Sequence, residues 1–166
     1  MFLALDIGNS HVLCAIHDSK KWIHSIRINS NLHFWDQFIT LKKYNITDCA
    51  ISSVVPSLTQ VYLESVKNIF QINSFIINSK NSMLELDVDS PSEVGSDRLC
   101  NTVAAKKNVG TPAIIGDIGS ATNYDVVDYS GAFIGGSIAP GLETAANNLF
   151  NKAALLNEIA LKVPKF

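Results

Sequence analysis

Apolar residues recur in three short segments at the start of the chain. Residues 2–5 and 12–16 are apolar runs joined by the sequence Asp-Ile-Gly-Asn-Ser at 6–10, a pattern typical of a β-hairpin. Over 22–28, aromatic and apolar side chains share one parity, which predicts a third, half-buried strand. The chain is therefore expected to open with a three-stranded antiparallel meander.

After the meander, helical and strand patterns alternate. Apolar side chains spaced three or four apart predict helices, and short apolar runs closed by turn residues predict buried strands. This order favours an α/β fold, a mixed sheet with helices on its faces, of the ribonuclease-H-like kind. The predicted elements are helix 34–44, strand 49–55 closed by Pro56, helix 58–70 with Ser57 as its N-cap, strand 74–77, surface loop 78–94 and helix 99–107.

The opening pattern recurs in the second half of the chain. Residues 113–120 repeat the pattern of 3–10, each an apolar strand that ends in Asp-Ile-Gly. Strands predicted at 124–127 and 132–138 complete a second meander. Because internal repeats decide architecture, this one predicts a duplicated ribonuclease-H-like fold with two related lobes.

The second lobe is expected to be incomplete. We predict a first lobe with a substrate loop over 1–110 and the start of a second, truncated lobe over 111–166. After its meander, the second lobe offers only one helix, 141–162, whose apolar stripe predicts that it is buried. An exposed sheet edge and an apolar helix lacking their usual cover would favour aggregation or dependence on a partner.

Composition narrows the class of protein. With 47% apolar and 17% charged residues, the 166-residue chain can bury a core. Its formal net charge of -2, without a basic run, disfavours nucleic acid as a partner. We expect no membrane segment and a cytoplasmic location, because no secretion signal or long apolar stretch is present. The three cysteines lack CxxC spacing and are expected to be reduced structural thiols.

Both Asp-Ile-Gly segments combine groups that bind phosphate. Glycine lets the backbone approach an anion, N–H groups and a hydroxyl donate hydrogen bonds, and an aspartate holds a cation or its waters. A single copy is more typical of a tight turn between strands. Two copies in matching positions favour phosphate binding, with two loops facing each other across a triphosphate.

The segment 92–98 directly precedes a predicted helix and has two interpretations. In the first, Ser96 or Asp97 caps the helix, and the negative charge is favourable at its N-terminus. In the second, Asp97 is a general base for a substrate hydroxyl and Arg98 pairs with an anionic substrate. Both interpretations are compatible. The glycine-rich segment 135–141 is either a strand-to-helix connection or a pocket wall.

These motifs, in this order, resemble those of the type III pantothenate kinases, a family of the acetate kinase, sugar kinase and actin superfamily. The resemblance lies in the segments 6–10, 93–98, 117–122 and 135–141 and covers essentially the whole chain. It implies transfer of the ATP γ-phosphoryl group to the primary hydroxyl of pantothenate, the first step of coenzyme A synthesis. It also implies Mg²⁺, a monovalent cation (K⁺ or NH₄⁺) and a homodimer.

The resemblance assigns roles to individual residues. Asp97 would be the base that takes the hydroxyl proton, and Asp117 would bind the monovalent cation. Pantothenate would lie against Gly95, Ser96, Asp97 and Arg98. The ATP-binding residues would be Asp6, Ile7, Gly8, Asn9, Ser10, His11, Val12, Leu13 and Ser120.

The sequence departs from the family pattern at several positions. Ser10 and Ser120 stand where the family usually has threonine, and Asn123 replaces another hydroxyl. Val88 stands where many relatives place a substrate-contacting tyrosine. Family members also continue through a further C-terminal portion that completes the second lobe and contributes to the adenosine site.

Two alternatives to a pantothenate kinase remain open. One is a non-catalytic regulatory or binding relative, like the Bvg accessory factor proteins, or an inactive remnant of the same fold. The other is a kinase for a different small hydroxylated acceptor, such as a sugar.

Overall fold

A computed structural model of the protein describes residues 1–30, 34–153 and 161–162. Its first sheet has five strands in the order β3-β2-β1-β4-β5. The first three strands form the predicted antiparallel meander, and β4 and β5 continue the sheet in parallel. The strands are β1 (Phe2–Ile7), β2 (His11–His17), β3 (Trp22–Asn29), β4 (Asp48–Ser53) and β5 (Ser74–Ile76).

The second sheet is the predicted second meander. It has three antiparallel strands in the order β6-β7-β8. These strands are β6 (Ala113–Ile118), β7 (Ala121–Val127) and β8 (Phe133–Pro140). The repeat read from the sequence is thus a repeat of structure, because each meander begins with a strand that ends in Asp-Ile.

Four α-helices connect or flank the strands among the described residues. They are α1 (Trp35–Phe38), which continues as a 3₁₀ turn over Ile39–Lys43, α2 (Pro56–Phe70), α3 (Ser96–Asn108) and α4 (Leu142–Lys152). No helix in the described ranges is long and apolar enough to cross a bilayer. The loop predicted over 78–94 is confirmed, apart from a short 3₁₀ turn at Pro91–Glu93.

The main core lies on one face of the first sheet. Alternate residues of β1 and β2 point inward, as the period of two requires, and are buried under α1 and α2. The rings of Phe34 and Tyr62 stack there with centroids 4.5 Å apart. Cys14 and Cys49 are free and buried in this core, and burial raises the pKa of the Cys14 thiol to about 12. They are the inert structural thiols that the sequence predicts.

Three helix predictions were wrong in detail. Helix α2 begins at Pro56, after Val55, so Ser57 is not its N-cap. Proline suits the first helical position because its missing N–H needs no partner there. The helix predicted over 34–44 is one α-turn followed by 3₁₀ turn. At α3, Gly95 occupies the cap and neither Ser96 nor Asp97 caps the helix with its side chain.

The helix predicted over 141–162 was too long and was wrongly predicted to be buried. It ends at Lys152, because Ala153 is extended, and none of its residues is buried. Leu142 and Leu149 are 68% and 55% exposed. Among the described strands and helices, α4 makes its main contact with β7, and most of its apolar stripe stays exposed. Predictions for residues 154–160 and 163–166 lie outside the described residues.

Candidate active site

The first Asp-Ile-Gly segment forms the tight turn between β1 and β2. The backbone N–H of Gly8 donates to the carbonyl oxygen of His11 over 3.0 Å. The Ser30 hydroxyl donates to the carbonyl oxygen of Gly8 over 2.6 Å. These bonds fix the turn at residues 8–10, which is the middle of the first phosphate-loop candidate, residues 6–13.

The second Asp-Ile-Gly segment is held in the same way by the residues that follow β8. The N–H of Gly141 and the hydroxyl of Thr144 both donate to the carbonyl oxygen of Ser120, over 3.0 and 2.8 Å. A Cβ on Gly141 would overlap the carbonyl oxygen of Gly119, so only glycine permits this approach. The glycine-rich segment 135–141 thus supports the second loop.

The two loops meet. The hydroxyl oxygens of Ser10 and Ser120 lie 2.8 Å apart and share a hydrogen bond, although the residues are 110 positions apart in sequence. Both side chains are exposed to solvent. The arrangement is the one expected for two loops that bind one phosphate chain between them.

The residues predicted for the first loop divide into two groups. Ile7 and Val12 are completely buried in the core, and their predicted contact with ATP stays a prediction. Gly8 is partly exposed, and the others are exposed: Asp6, Asn9, Ser10, His11 and Leu13.

A cleft of about 700 Å³ opens between the first sheet and α3. Three of its lining residues are the aspartates that the sequence singles out, Asp6, Asp97 and Asp117. Leu13 and Trp22 supply apolar walls. The cleft therefore brings the aspartates of the two Asp-Ile-Gly segments, Asp6 and Asp117, together with the candidate base Asp97.

Asp97 lies in the first turn of α3 and is half-buried. One carboxylate oxygen, Oδ1, accepts a hydrogen bond from the backbone N–H of Arg98 over 2.8 Å. The same oxygen lies 2.5 Å from the position that a Cβ on Gly95 would occupy. The Asp97 carboxylate therefore folds back over Gly95, and the glycine leaves room for it.

Ser96 is buried and its hydroxyl is bonded to β4. It accepts from the N–H of Ser53 over 2.7 Å and donates to the carbonyl oxygen of Ser53 over 3.0 Å. The Ser52 hydroxyl lies 3.1 Å away. Ser96 thus attaches the start of α3 to the first sheet, and its predicted contact with substrate stays a prediction.

Arg98 is bound to the second sheet. Its Nε donates to Oδ1 of Asp125 over 2.8 Å, and Nη2 donates to the same oxygen. The Asp125 side chain is 1% exposed and that of Arg98 is 16% exposed. The guanidinium carbon also lies 5.3 Å from the ring centroid of Phe133, within the range of a cation–π contact.

Asp117 lies at the end of β6 and is held from α3. The amide nitrogen of Asn101 donates to its Oδ2 over 3.0 Å. Asn123 lies opposite Asp117 on β7, and its buried Oδ1 has no hydrogen-bond partner. Carboxylate and amide oxygens are the donors that hard cations prefer, so this pair fits a cation.

Two neighbouring carboxylates contribute to the pKa of Asp6. Partial burial raises the pKa of Asp6, and the negative charges of Asp97 and Asp117 raise it further, whereas the Ser52 hydroxyl and Arg27 act in the opposite direction. No cluster of three or more His, Cys, Asp or Glu side chains in the described part of the chain is arranged to hold a metal ion. The site therefore concentrates negative charge without forming an all-protein metal cage.

The sequence analysis missed two residues at this site, Asn101 and Asp125. Asn101 looked like an ordinary polar residue of an amphipathic helix. Asp125 carried a signal, because it has the inward parity on a strand where a buried carboxylate requires a partner. That signal alone does not identify the partner as Arg98.

Comparisons with known proteins give the family. A family model described as "Type III pantothenate kinase" matches residues 2–165. The type III pantothenate kinase of Thermomicrobium roseum is 36% identical over 176 residues, which cover 99% of this chain and 68% of the relative. That of Petrotoga mobilis is 34% identical over 179 residues, covering 100% and 69%.

Solved structures show the fold. A protein described as a Baf family transcriptional activator, from Campylobacter jejuni, superposes with a TM-score of 0.58 at 22% identity, over 99% of this chain and 67% of that one. The Ppx/GppA phosphatase of Aquifex aeolicus gives 0.50 at 14% identity, over 90% and 54%. The predicted ribonuclease-H-like fold of the actin-like ATPases is confirmed. With its matched motifs and its extended similarity to the curated relatives, the chain belongs to the type III pantothenate kinase family.

Proposed function

We propose that this chain phosphorylates pantothenate with ATP, forming 4'-phosphopantothenate and ADP, the first step of coenzyme A biosynthesis. Family membership supports the reaction. The observation that carries it to this structure is the 2.8 Å contact between Ser10 and Ser120, beside a cleft that contains Asp97. Two facing hydroxyl-bearing loops next to a carboxylate suit phosphoryl transfer, which needs alignment and charge neutralisation more than covalent help.

The proposed roles follow the positions of the residues. The first loop, Asp6 to Leu13, and Ser120 hold the triphosphate, while Gly95, Ser96, Asp97 and Arg98 hold pantothenate. Asp97 accepts the proton of the primary hydroxyl. The freed oxygen forms the new bond to the γ-phosphorus, and the bond from that phosphorus to the β–γ bridging oxygen breaks, releasing ADP.

Cations complete the charge balance of this proposal. Mg²⁺ usually binds through one or two carboxylates together with substrate phosphates, which agrees with a site that has separate aspartates. When bound, it neutralises charge on the phosphates. Asp117 and the unpartnered Asn123 oxygen would hold the monovalent cation, K⁺ or NH₄⁺.

We also propose the domain division at residue 110, a cytoplasmic location and a homodimer. Each sheet lies wholly on one side of the division. Exposed apolar side chains on the second sheet support association with another copy.

A coupled assay with ATP, Mg²⁺, K⁺ and pantothenate tests the reaction. Asp97→Asn keeps the shape of the side chain but removes its basicity, so we expect kcat to fall by about 10²–10⁴-fold while ATP still binds. Asp89→Asn, at an exposed loop position, is the matched control and should leave kcat unchanged. Wild-type protein that binds ATP but does not turn over pantothenate would overturn the proposal.

A second candidate is a regulatory role. The structural likeness to the Campylobacter jejuni protein described as a transcriptional activator favours it. Such a role does not require Asp97, so ATP binding without turnover, equal in the wild type and in Asp97→Asn, would support it. A sugar or another small alcohol that replaces pantothenate in the assay would instead identify a different acceptor.

A further inference from the structure

We propose that Asp125 is a positioning residue for phosphoryl transfer, which acts through Arg98 to orient Asp97. The inference rests on the proposed function, because it assumes that Asp97 is the base. It assigns a role to a residue on the second sheet that the sequence analysis did not identify.

The first step is that Asp125 needs Arg98. A carboxylate that is 1% exposed is costly to bury unless a cation and hydrogen bonds compensate it. Arg98 supplies both to Oδ1 through Nε and Nη2, while the buried Oδ2 has no hydrogen-bond partner among the described residues. No other salt bridge was found among the described residues.

The second step is that Arg98 in turn is fixed on several sides. Its guanidinium lies over the ring of Phe133, which is itself 1% exposed. Its backbone carbonyl accepts the hydroxyl of Thr102 over 2.8 Å within α3. A guanidinium held by an ion pair and an aromatic ring has little freedom, so the backbone of Arg98 is fixed relative to β7.

The third step connects Arg98 to the candidate base. The backbone N–H of Arg98 donates to Oδ1 of Asp97. Ser96, on the other side of Asp97, is bonded to β4 of the first sheet. The first turn of α3 is thus attached to the first sheet before Asp97 and to the second sheet after it, and both attachments determine where the carboxylate points.

A second attachment runs in parallel. Asn101, one turn further along α3, donates to Asp117 on β6. It holds the body of the helix against the second sheet, and among the described residues its side chain is hydrogen-bonded to Asp117 and not to the Asp97 carboxylate. We therefore assign the attachment of the first turn to the second sheet to the pair Arg98 and Asp125.

The test is Asp125→Asn, which keeps the shape and one acceptor but removes the charge that holds the guanidinium. We expect kcat to fall by roughly 10–100-fold, since small misplacements of a reacting group cost rates of this order. Binding of a non-hydrolysable ATP analogue should stay near its wild-type affinity and stoichiometry, which a loss of folded protein would lower. Asp89→Asn is the matched control.

A readout that does not depend on turnover is the ¹H–¹⁵N NMR signal of the Arg98 backbone amide. It reports the bond to Asp97 and should shift in Asp125→Asn but not in Asp89→Asn. If the wild type fails to phosphorylate pantothenate and this signal still shifts, the proposed function fails and the positioning role stands. An unchanged signal with unchanged kcat overturns the positioning role alone.

If Asp125→Asn does not fold, the double variant Arg98→Gln with Asp125→Asn removes both charges, so that neither is buried alone. We expect it to fold, with unchanged affinity for the ATP analogue and a low kcat measured at saturating pantothenate, so that weaker substrate binding by the altered residue 98 does not account for the loss. Wild-type kcat in this variant would overturn the proposal. So would failure of both variants to fold, because the pair would then serve stability and not orientation.

Discussion

At the scale of single residues, Gly95 is the position where the backbone approaches the carboxylate of the candidate base, Asp97. The Asp97 carboxylate oxygen lies 2.5 Å from where a Cβ of residue 95 would be, closer than two such atoms can stay. Gly95 itself has φ −58° and ψ 142°, which any residue adopts without strain. A methyl group here would therefore displace the carboxylate and leave the backbone unchanged.

We predict that Gly95→Ala lowers kcat by roughly 10–100-fold, because it moves the candidate base. The free energy of unfolding should change by less than about 1 kcal/mol, since the restriction that alanine places on the unfolded chain offsets the loss of glycine from the N-cap of α3. Turnover and urea unfolding measured on the same samples check both parts. Gly116→Ala is the control, because its Cβ would meet only the Tyr124 ring at 3.9 Å. A stable variant with the wild-type kcat would contradict the prediction, because it would show that the Asp97 carboxylate can move away from a methyl group at residue 95 without loss of activity.

The site residues differ in how well sequence predicts them. Asp6, Asp97 and Asp117 were each predicted as site residues, and they line one cleft. Short sequence motifs are enough to predict these aspartates, because each lies at the end of a strand or in the first turn of a helix, in a motif whose residues are consecutive in the sequence. Asn101, which bonds to Asp117, and Asp125, which bonds to Arg98, were missed because their pairing depends on how α3 crosses the second sheet. Sequence periodicity gives the face of a residue but not its partner across a layer.

At the scale of elements, α3 is the connection between the two sheets. It contacts β4 on one side and both β6 and β7 on the other. Its first turn carries a hydroxyl that serves as a tertiary attachment in place of a cap. Removing that hydroxyl should weaken the attachment without changing the charge of the site.

We predict that Ser96→Ala lowers the free energy of unfolding by about 1–3 kcal/mol, because the partly buried N–H of Ser53 loses its acceptor. Ser57→Ala, at an exposed position in the first turn of α2, should change it by less than about 0.5 kcal/mol. Chemical unfolding of both variants checks the comparison. Equal effects at the two serines would mean that the Ser96 bonds contribute little.

Elements with a strict local period were predicted well, and their ends were not. Both meanders follow from alternation and turn residues, which act over a few neighbours. The start of α3 was placed at 99, because Ser96 and Asp97 resemble local caps, whereas Ser96 bonds to β4 and the helix begins there. The exposure of α4 was missed, since an apolar stripe indicates that a helix has a buried face but not that a cover is present.

At the scale of the whole molecule, the outer face of the second sheet is unusually apolar. Ile114 and Ile118 are 76% and 78% exposed, and Tyr124, opposite Gly116 on the same face, is 48% exposed. Contiguous apolar side chains of this kind mark contact surfaces. The proposed homodimer gives this face a use.

We predict that the 166-residue chain self-associates and that Ile114→Lys with Ile118→Lys reduces the association, because two buried charges would oppose it. Sedimentation velocity over a range of concentrations measures the effect. The control is Val109→Lys, which adds a charge at another apolar position, 81% exposed at the end of α3. A wild-type chain that stays monomeric would contradict the predicted self-association. A loss of association in the control alone would place the contact elsewhere.

The hydrogen bond between Ser10 and Ser120 has a consequence for the energetics of nucleotide binding. In a bond between two hydroxyls, only one of them donates. A phosphate oxygen accepts without donating, so a phosphate between the loops lets both hydroxyls donate at once, each across a charge-assisted bond. One neutral bond is thereby exchanged for two stronger ones, one from each sheet. A triphosphate bound in this way would bridge the two halves of the repeat through hydrogen bonds. The affinity for nucleotide and the free energy that holds the halves together would then be thermodynamically linked.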